Sequence, residues 1–421
     1  MSEQATVSAG RRKAAAGFIF VTALIDIIAL GIMIPVLPLL VKQMMGGDTA
    51  LAAEINTLFA TVFGLMQFVC APVLGLLSDR FGRRPVLLTS IFGLGLDFLF
   101  MAFAPNIRWL FVGRVINGAT AASFSTANAY IADVTPPDER AKAFGLLGVA
   151  FGLGFTFGPA LGGFLADFDI RLPFLACAAL ALTNWLYGFF VLPESLPPER
   201  REKRLDWRKA NPIGSLKLLR SHPDLLGLAG VGFLFNLAHV VLPVIFVLYA
   251  AERYGWSSQM VGLSMLGTGV SNIIVQAFLI GPVVKRIGER GALLTGLMSG
   301  AIGFMIFGLA PTGLIYLAGI PIFALMGFTN PGLQGLMTRR VGPNEQGQLQ
   351  GANSALMGLA GIIGPSLFGL SFAWAVRHDA VLGQKGLPIL IASGLMLAAF
   401  LIALRVARPM EPQAGLAGSA P

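Results

Sequence analysis

Long apolar runs separated by short polar stretches set the pattern of this chain. The runs are about 20 residues each, the length an α-helix needs to cross about 30 Å of hydrocarbon. They predict twelve spans, near 15–41, 53–77, 86–104, 108–132, 142–166, 172–193, 225–250, 258–284, 291–310, 313–338, 350–375 and 386–405. Continuous runs of this length exclude the alternating segments of about ten residues that build a transmembrane barrel. Lipid offers the backbone no hydrogen-bond partners, so each span must be a helix. The fold class that follows is an all-α membrane protein of twelve transmembrane helices.

Composition narrows this further. Of 421 residues, 55% are hydrophobic and only 12% charged, against about 25% charged in a soluble domain. That excludes a soluble globule, a disordered chain and a fibrous repeat. The net charge of +9 does not point to nucleic acid, because its distribution serves orientation. With a cytoplasmic N-terminus, inside segments hold 23 Lys and Arg and outside loops hold 6: Lys42, Arg108, Arg171, Arg253, Arg377 and Lys385. Arg114 alone lies within a span. The bias places both termini inside. Cys70 and Cys177 fall in apolar runs and read as packing residues, and no metal-ligand spacing occurs.

The polar, Pro-broken stretch 194–224 divides the spans six and six. The expected organisation is an N-terminal bundle (1–193), a cytoplasmic linker (194–224), a C-terminal bundle (225–408) and a disordered tail (409–421). The halves repeat one another at an offset of 206 residues. Gly75, Asp79, Arg80, Gly82 and Arg84 align with Gly281, Lys285, Arg286, Gly288 and Arg290. Pro137 and Glu139 align with Pro343 and Glu345, and Gly152, Gly158 and Pro159 with Gly358, Gly364 and Pro365. A direct repeat of this kind implies two pseudo-symmetric six-helix bundles related by an axis along the membrane normal, with substrate bound between them.

Two motifs carry candidate mechanics. In the loop Gly75-x-x-x-Asp79-Arg80-x-Gly82-Arg83-Arg84, Gly75 is expected to permit close helix approach and Gly82 a tight turn. Asp79 with Arg80 and Arg83 forms a charged cluster able to latch the cytoplasmic side. Topology alone would need the arginines but not the glycines and Asp79. Span 5 carries Gly154, Gly158, Pro159 and Gly162, a flat stripe for helix contact with a kink in it. These patterns, with Gly31-Ile-Met-Ile-Pro35 in span 1, Gln67 in span 2, Arg253-Tyr-Gly255-Trp256 and Gln276, resemble the major facilitator superfamily. Within it, they resemble its drug:proton antiporters of the bacterial tetracycline-efflux branch. The resemblance implies a proton-driven exporter in the bacterial inner membrane, expected to work as a monomer. Its partners would be a small-molecule substrate, protons and the lipid bilayer. It implies no cofactor and no metal, and the chain contains no phosphate-binding G-x-x-x-x-G-K-[ST] loop.

Ionisable residues at membrane depth are costly and default to function. Asp26 in span 1 is the first candidate for proton coupling, Asp97 in span 3 the second. Both match acidic positions of the tetracycline exporters, and Arg114 matches a basic one. Asp97 and Arg114 read equally as an interhelical salt bridge. Asn117 lies one turn beyond Arg114, and Asn236 one turn before His239 in span 7. Asn272 and Gln276, and Asn330 and Gln334, are i, i+4 pairs that either line a cavity or join helices. Gln67 stands alone on span 2. Gln67, Gln276 and Gln334 match polar positions of the family. The chain departs from the tetracycline pattern at Gly300, where those exporters carry a third acid, and at Asn272, where many carry His. His239 is a candidate replacement for a titratable group. The alternative reading is a proton-coupled symporter importing a small metabolite on the same fold. An enzyme is disfavoured because no nucleophile–base pair or metal cluster is present.

Overall fold

The computed structural model describes residues 19–120, 123–135, 140–202, 216, 218–219, 223–342, 345–379 and 384–407. Several expectations lie outside the described residues: the charged N-terminal tail, the Pro137–Glu139 and Pro343–Asn344 repeat signatures, most of the linker and the tail from 409 on. Every regular element among the described residues is helical. They are α1 (residues 19–33), α2 (Leu37–Met44), α3 (Thr49–Phe81), α4 (Arg83–Ala102), α5 (Ile107–Thr120), α6 (Ser123–Val134), α7 (Arg140–Ala166) and α8 (Leu172–Val191). Then follow α9 (Pro223–His239), α10 (Val241–Tyr254), α11 (Ser258–Ile274), α12 (Ile280–Leu309), α13 (Gly313–Ala324), α14 (Thr329–Thr338), α15 (Gln346–Arg377) and α16 (Leu387–Val406).

Local chemistry sets the breaks. Pro35, which has no N–H, falls in the turn between α1 and α2, and Pro38 sits in the first turn of α2, where that loss is harmless. Asp48 caps α3 by accepting from Leu51 N at 2.9 Å, and Ser257 caps α11 through Met260 N at 3.3 Å. Gly255, with φ 67°, ends α10 in the left-handed conformation only glycine adopts cheaply. Nine helical stretches among the described residues are long and apolar enough to cross a bilayer. One of them, Ser258–Leu309, runs 52 residues, more than twice the length a single crossing needs. It folds back at Gly288 (φ 71°, ψ 176°), the repeat counterpart of Gly82 (φ 107°).

The surface inverts the soluble rule. Phe168, Phe190, Phe278 and Leu314 are each more than two-thirds exposed, an arrangement that suits lipid rather than water. This is an all-α membrane protein. Contact between the N- and C-terminal halves of the chain runs mainly along two seams, α7 against α11 and α3 against α15, with α10 adding a smaller contact to α2 and α3. Both main seams are glycine seams. A Cβ on Gly262 would lie 2.5 Å from Pro159 O, and one on Gly64 would lie 3.0 Å from Gly361 O. Within the first half the span 5 stripe packs on α1 as its spacing predicts: a Cβ on Gly158 would lie 2.7 Å from Gly31 Cα, and one on Gly154 2.5 Å from Ile27 Cγ2.

Candidate functional site

A cavity of about 460 Å³ opens between the helices. One stripe of α3, Asn56, Ala60, Phe63 and Gln67, forms part of its wall at 4-3-4 spacing, which is one helix face. Phe59 of α3, residues of α1 and α2 between Leu30 and Pro38, and Ser90, Leu94, Arg114, Asn117, Thr120 and Phe155 complete the first half's share. The second half contributes Pro243 and Val244.

Arg114 anchors the cavity floor. Its Nη2 donates to Asp97 Oδ2 at 3.4 Å and lies 3.3 Å from Met33 Sδ and 3.0 Å from Met101 Sδ. Asn117 Nδ2 donates to the same Asp97 oxygen at 2.6 Å. The Phe63 ring stands 5.9 Å from the guanidinium, so the cation is shared between a carboxylate, two thioethers and a π face. The Asp97 side chain is fully buried. Its approach needs Gly113, where a Cβ would lie 2.8 Å from Asp97 Oδ1. Asp97 Oδ1 and Arg114 Nε have no partner, so the pair is buried with donor and acceptor capacity to spare.

Asp26 is also buried but is not part of the cavity wall. It turns to α8, where Asn184 Nδ2 donates to its Oδ1 at 3.1 Å. Leu30, one turn further along α1, does reach the cavity. His239 is exposed, its ring 6.0 Å from Phe235 and one turn before the cavity-lining Pro243.

The glycine-rich loop is tied to its own half. Arg83 Nη1 pairs with Asp79 Oδ1 at 2.5 Å and its Nε with Asp133 Oδ2 at 3.1 Å. Glu194 Oε1 accepts from the backbone of Arg83, Ser195 and Leu196 at 2.9–3.0 Å. The Arg80 guanidinium lies over Phe81 at 5.3 Å. Gly82 makes the tight turn expected of it, and a Cβ there would lie 2.8 Å from Glu194 Cδ. The expectation for Gly75 is corrected. Nothing lies within 4 Å of a Cβ placed there.

At the opposite end the halves are bonded together. Glu252 accepts from Thr49 Oγ1 at 2.6 Å, and its carboxylate lies 3.5 Å from Lys42 Nζ and 3.2 Å from Lys385 Nζ. Arg377 pairs with Glu54 across the same boundary. Desolvation pulls the Lys385 amine down, but Glu252 and Asp379 outweigh it and leave the group above the ordinary lysine value.

Of the residues singled out from the sequence, the cavity gathers Gln67, Arg114 and Asn117, with Asp97 attached through Arg114. Others are spent elsewhere. Asn236 donates to Gly232 O of its own helix at 2.8 Å, and Gln334 accepts from Gln350 and Asn353 at 3.3 and 3.4 Å. Asn330 is exposed and stands apart from the cavity wall. Asn272 is half-buried and Gln276, in a π-helical turn over Val275–Leu279, is exposed; neither is part of the cavity wall. Three residues escaped the sequence reading: Asn56, Asn184 and Glu252. Asn56 was detectable as the polar start of the 56-60-63-67 stripe, and Asn184 as an amide inside an otherwise apolar span. Nothing in the sequence marked Glu252, since its partners are far away along the chain.

A helical membrane protein with a cavity walled by both halves, ion-paired across the halves at one end and, among the described residues, within each half at the other, has the architecture of a secondary transporter. Residues 19–365 match the Major Facilitator Superfamily, and the chain belongs to that family. It is 39% identical over 344 residues to the tetracycline resistance protein, class C, of Escherichia coli, covering 82% of this chain and 86% of that one. The class B protein of the same organism is 33% identical over 395 residues, covering 94% and 96%. The crystal structure of the nucleoside transporter NupG superposes with a TM-score of 0.74 over 94% of this chain and all of that one, at 14% identity, a likeness of fold alone. Like these relatives, the chain is a transporter and not an enzyme.

Proposed function

We propose that this chain is a proton-coupled antiporter that exports an amphipathic, drug-like small molecule of tetracycline-like character across the bacterial inner membrane. The observation that carries the reading is the cavity itself. It is an apolar chamber with a few fixed polar groups and a desolvated Asp97–Arg114 pair at its floor, the make-up of a small-molecule site. The names of the relatives supply the substrate class.

In this reading twelve spans form two six-helix bundles, 1–193 and 225–408, joined by the linker 194–224. Both termini are cytoplasmic and the monomer is the working unit. The Glu252 end then faces outward and is closed, and the Asp79 end faces the cytoplasm and is open. The unfilled space at Gly75 and the intra-half pairing of Asp79 with Arg83 fit the latch in its released state. Arg80 and Gly82 belong to that latch, and Gly154, Gly158, Pro159 and Gly162 form the bearing between α7 and its neighbours. Gln67, Arg114, Asn117 and Asn56 contact substrate. His239, Asn236, Asn272, Gln276, Asn330 and Gln334 lie along the path to the cytoplasm. Asp26 carries the coupling proton, needing no cofactor.

The test is substrate-dependent proton movement in proteoliposomes. Wild-type protein should couple tetracycline to proton flux. Asp26→Asn, which keeps the shape of the protonated side chain, should bind substrate but lose exchange driven by a pH gradient. Full coupling in that variant removes Asp26 from the mechanism.

A further inference from the structure

We propose that Asn184 is the positioning residue for the coupling carboxylate, with one amide serving Asp26 in both of its protonation states. This rests on the reading of Asp26 given above. The residues involved are packed out of water: Asn184 is 1% exposed, Thr22 1% and Asp26 7%. Asn184 Nδ2 donates to Asp26 Oδ1 at 3.1 Å and to Thr22 O at 3.2 Å. Asn184 Oδ1 is buried with no partner, and so is Thr22 Oγ1. An orphaned amide oxygen in a dry site is costly and calls for an explanation.

Protonation supplies one. An ionised carboxylate only accepts, and it uses the Asn184 N–H. A protonated carboxyl carries one O–H that must find an acceptor. The unused Asn184 oxygen belongs to the same amide plane that already holds Asp26. With the proton on Asp26 Oδ2, acid and amide close a ring of two parallel bonds: Nδ2–H to Asp26 Oδ1, and Oδ2–H to Asn184 Oδ1. The amide mount is rigid, because Cys177, two turns earlier on α8, donates its thiol to Ala29 O at 3.1 Å and fixes α8 against α1.

Among the described residues no charged side chain competes for Asp26. On α4, Asp97 is engaged by Arg114 of α5, Arg83 by Asp79 and Asp133, and Arg84 donates to Phe189 O at 2.7 Å. Tyr130 of α6 donates to Pro193 O at 2.8 Å. On α8, Cys177 is spent on Ala29. The amide is therefore the single group tuned to the charge of Asp26.

The test measures the pH profile of exchange in proteoliposomes for Asn184→Leu, Asn184→Ser and Asp26→Asn. Removing the amide takes a charge-assisted bond from the ionised form and a weaker neutral bond from the protonated form. The midpoint for Asn184→Leu should therefore move to higher pH by about one unit. Serine, whose hydroxyl both donates and accepts, should bring the midpoint back towards wild type. A uniform loss of rate with an unmoved midpoint, or a serine variant no better than leucine, overturns the proposal and leaves Asp26 in place. Retained coupling in Asp26→Asn overturns the underlying reading and the proposal with it. If the leucine variant does not insert, Asn184→Ala removes the same amide with less bulk and carries the measurement.

Discussion

Glu252 bridges the two halves, and in the orientation proposed above Glu252→Gln tests how much closure of the outer end depends on charge. The carboxylate faces two ammonium groups, Lys42 at 3.5 Å and Lys385 at 3.2 Å, and accepts from Thr49 at 2.6 Å. The ionic side chains are each about a quarter exposed or less, so screening limits either ion pair to about 0.5–1 kcal/mol. Replacing the carboxylate by an amide also reduces the Thr49 bond from charge-assisted to neutral, a further loss of about 1 kcal/mol. The closed arrangement then weakens by about 2 kcal/mol, roughly a 30-fold shift towards outward opening. Lys385, which stays charged beside Asp379 at 3.3 Å, does not compensate. The assay places a single cysteine in the cavity, Gln67→Cys, on a Cys70→Ser, Cys177→Ser background. It measures labelling by an impermeant maleimide applied outside intact cells. The rate should rise by tenfold or more in Glu252→Gln. An unchanged outside rate, with the cysteine still reactive in inside-out vesicles, would refute the assignment of Glu252 as an outer latch.

Other perturbations have equally definite outcomes. Asp79→Asn should insert normally but slow exchange in vesicles, because the re-closing cytoplasmic latch loses its charge; full activity would show that the loop serves topology alone. Asp97→Leu should lower thermal stability by about 3–5 kcal/mol by leaving Arg114 buried without a counter-ion, and adding Arg114→Leu should recover much of that loss; additive melting shifts would mean the two are not energetically paired. Gly158→Leu should abolish folded protein or transport, since its Cβ alone would lie 2.7 Å from Gly31 Cα, whereas Gly75→Ala should leave the melting temperature of the cytoplasm-open state unchanged, because nothing lies within 4 Å.

What the sequence revealed depended on whether one residue type sufficed to report its surroundings. Apolar length announced the helices, because lipid permits little else. Gly154, Gly158 and Gly162 announced a backbone contact, because a stripe without side chains has few other uses. Gly82 announced a turn that only a residue lacking Cβ takes cheaply. Asp97 and Arg114 were legible as a pair because neither charge survives burial alone. The direction in which a side chain points was not legible. Asp26 turns to Asn184 and is not part of the cavity wall, and nothing local distinguishes the face of α1 that meets α8 from the face that meets the cavity. That Asn272 and Gln276 stand outside the cavity wall was not legible either, because residue type does not report which face of a helix meets the cavity. Gly75 was misjudged for another reason. Glycine reports that a close approach is permitted, and in this structure nothing makes it.

The two halves have not kept the same tasks. Where related exporters carry an acid in span 9, this chain has Gly300, and the space is already filled. A Cβ there would lie 3.0 Å from Met326 Cγ and Sδ and closer still to the Met396 methyl. A carboxylate could not enter without repacking that core, so the second half has no replacement for the missing group at that place. Among the described residues, the buried charged side chains, Asp26, Asp97 and Arg114, all lie in the first half. The second half supplies Pro243 and Val244 to the cavity and Glu252 to the closure, and its copy of the glycine-rich loop pairs Glu289 with Arg339 at 2.6 Å inside its own bundle. Coupling between a proton site and a gate requires a physical element that both can bias. In the function proposed above, the stretch Ile19–Met44 would be that element, because it carries Asp26 against Asn184, presents Met33 to Arg114, breaks at Pro35 and places Lys42 on Glu252. A change in charge at Asp26 that altered the seating of α1 on α8 would reach the outer closure along one continuous span. The break at Pro35 lies between the two, where a small rotation of α1 would be converted into a displacement of Lys42.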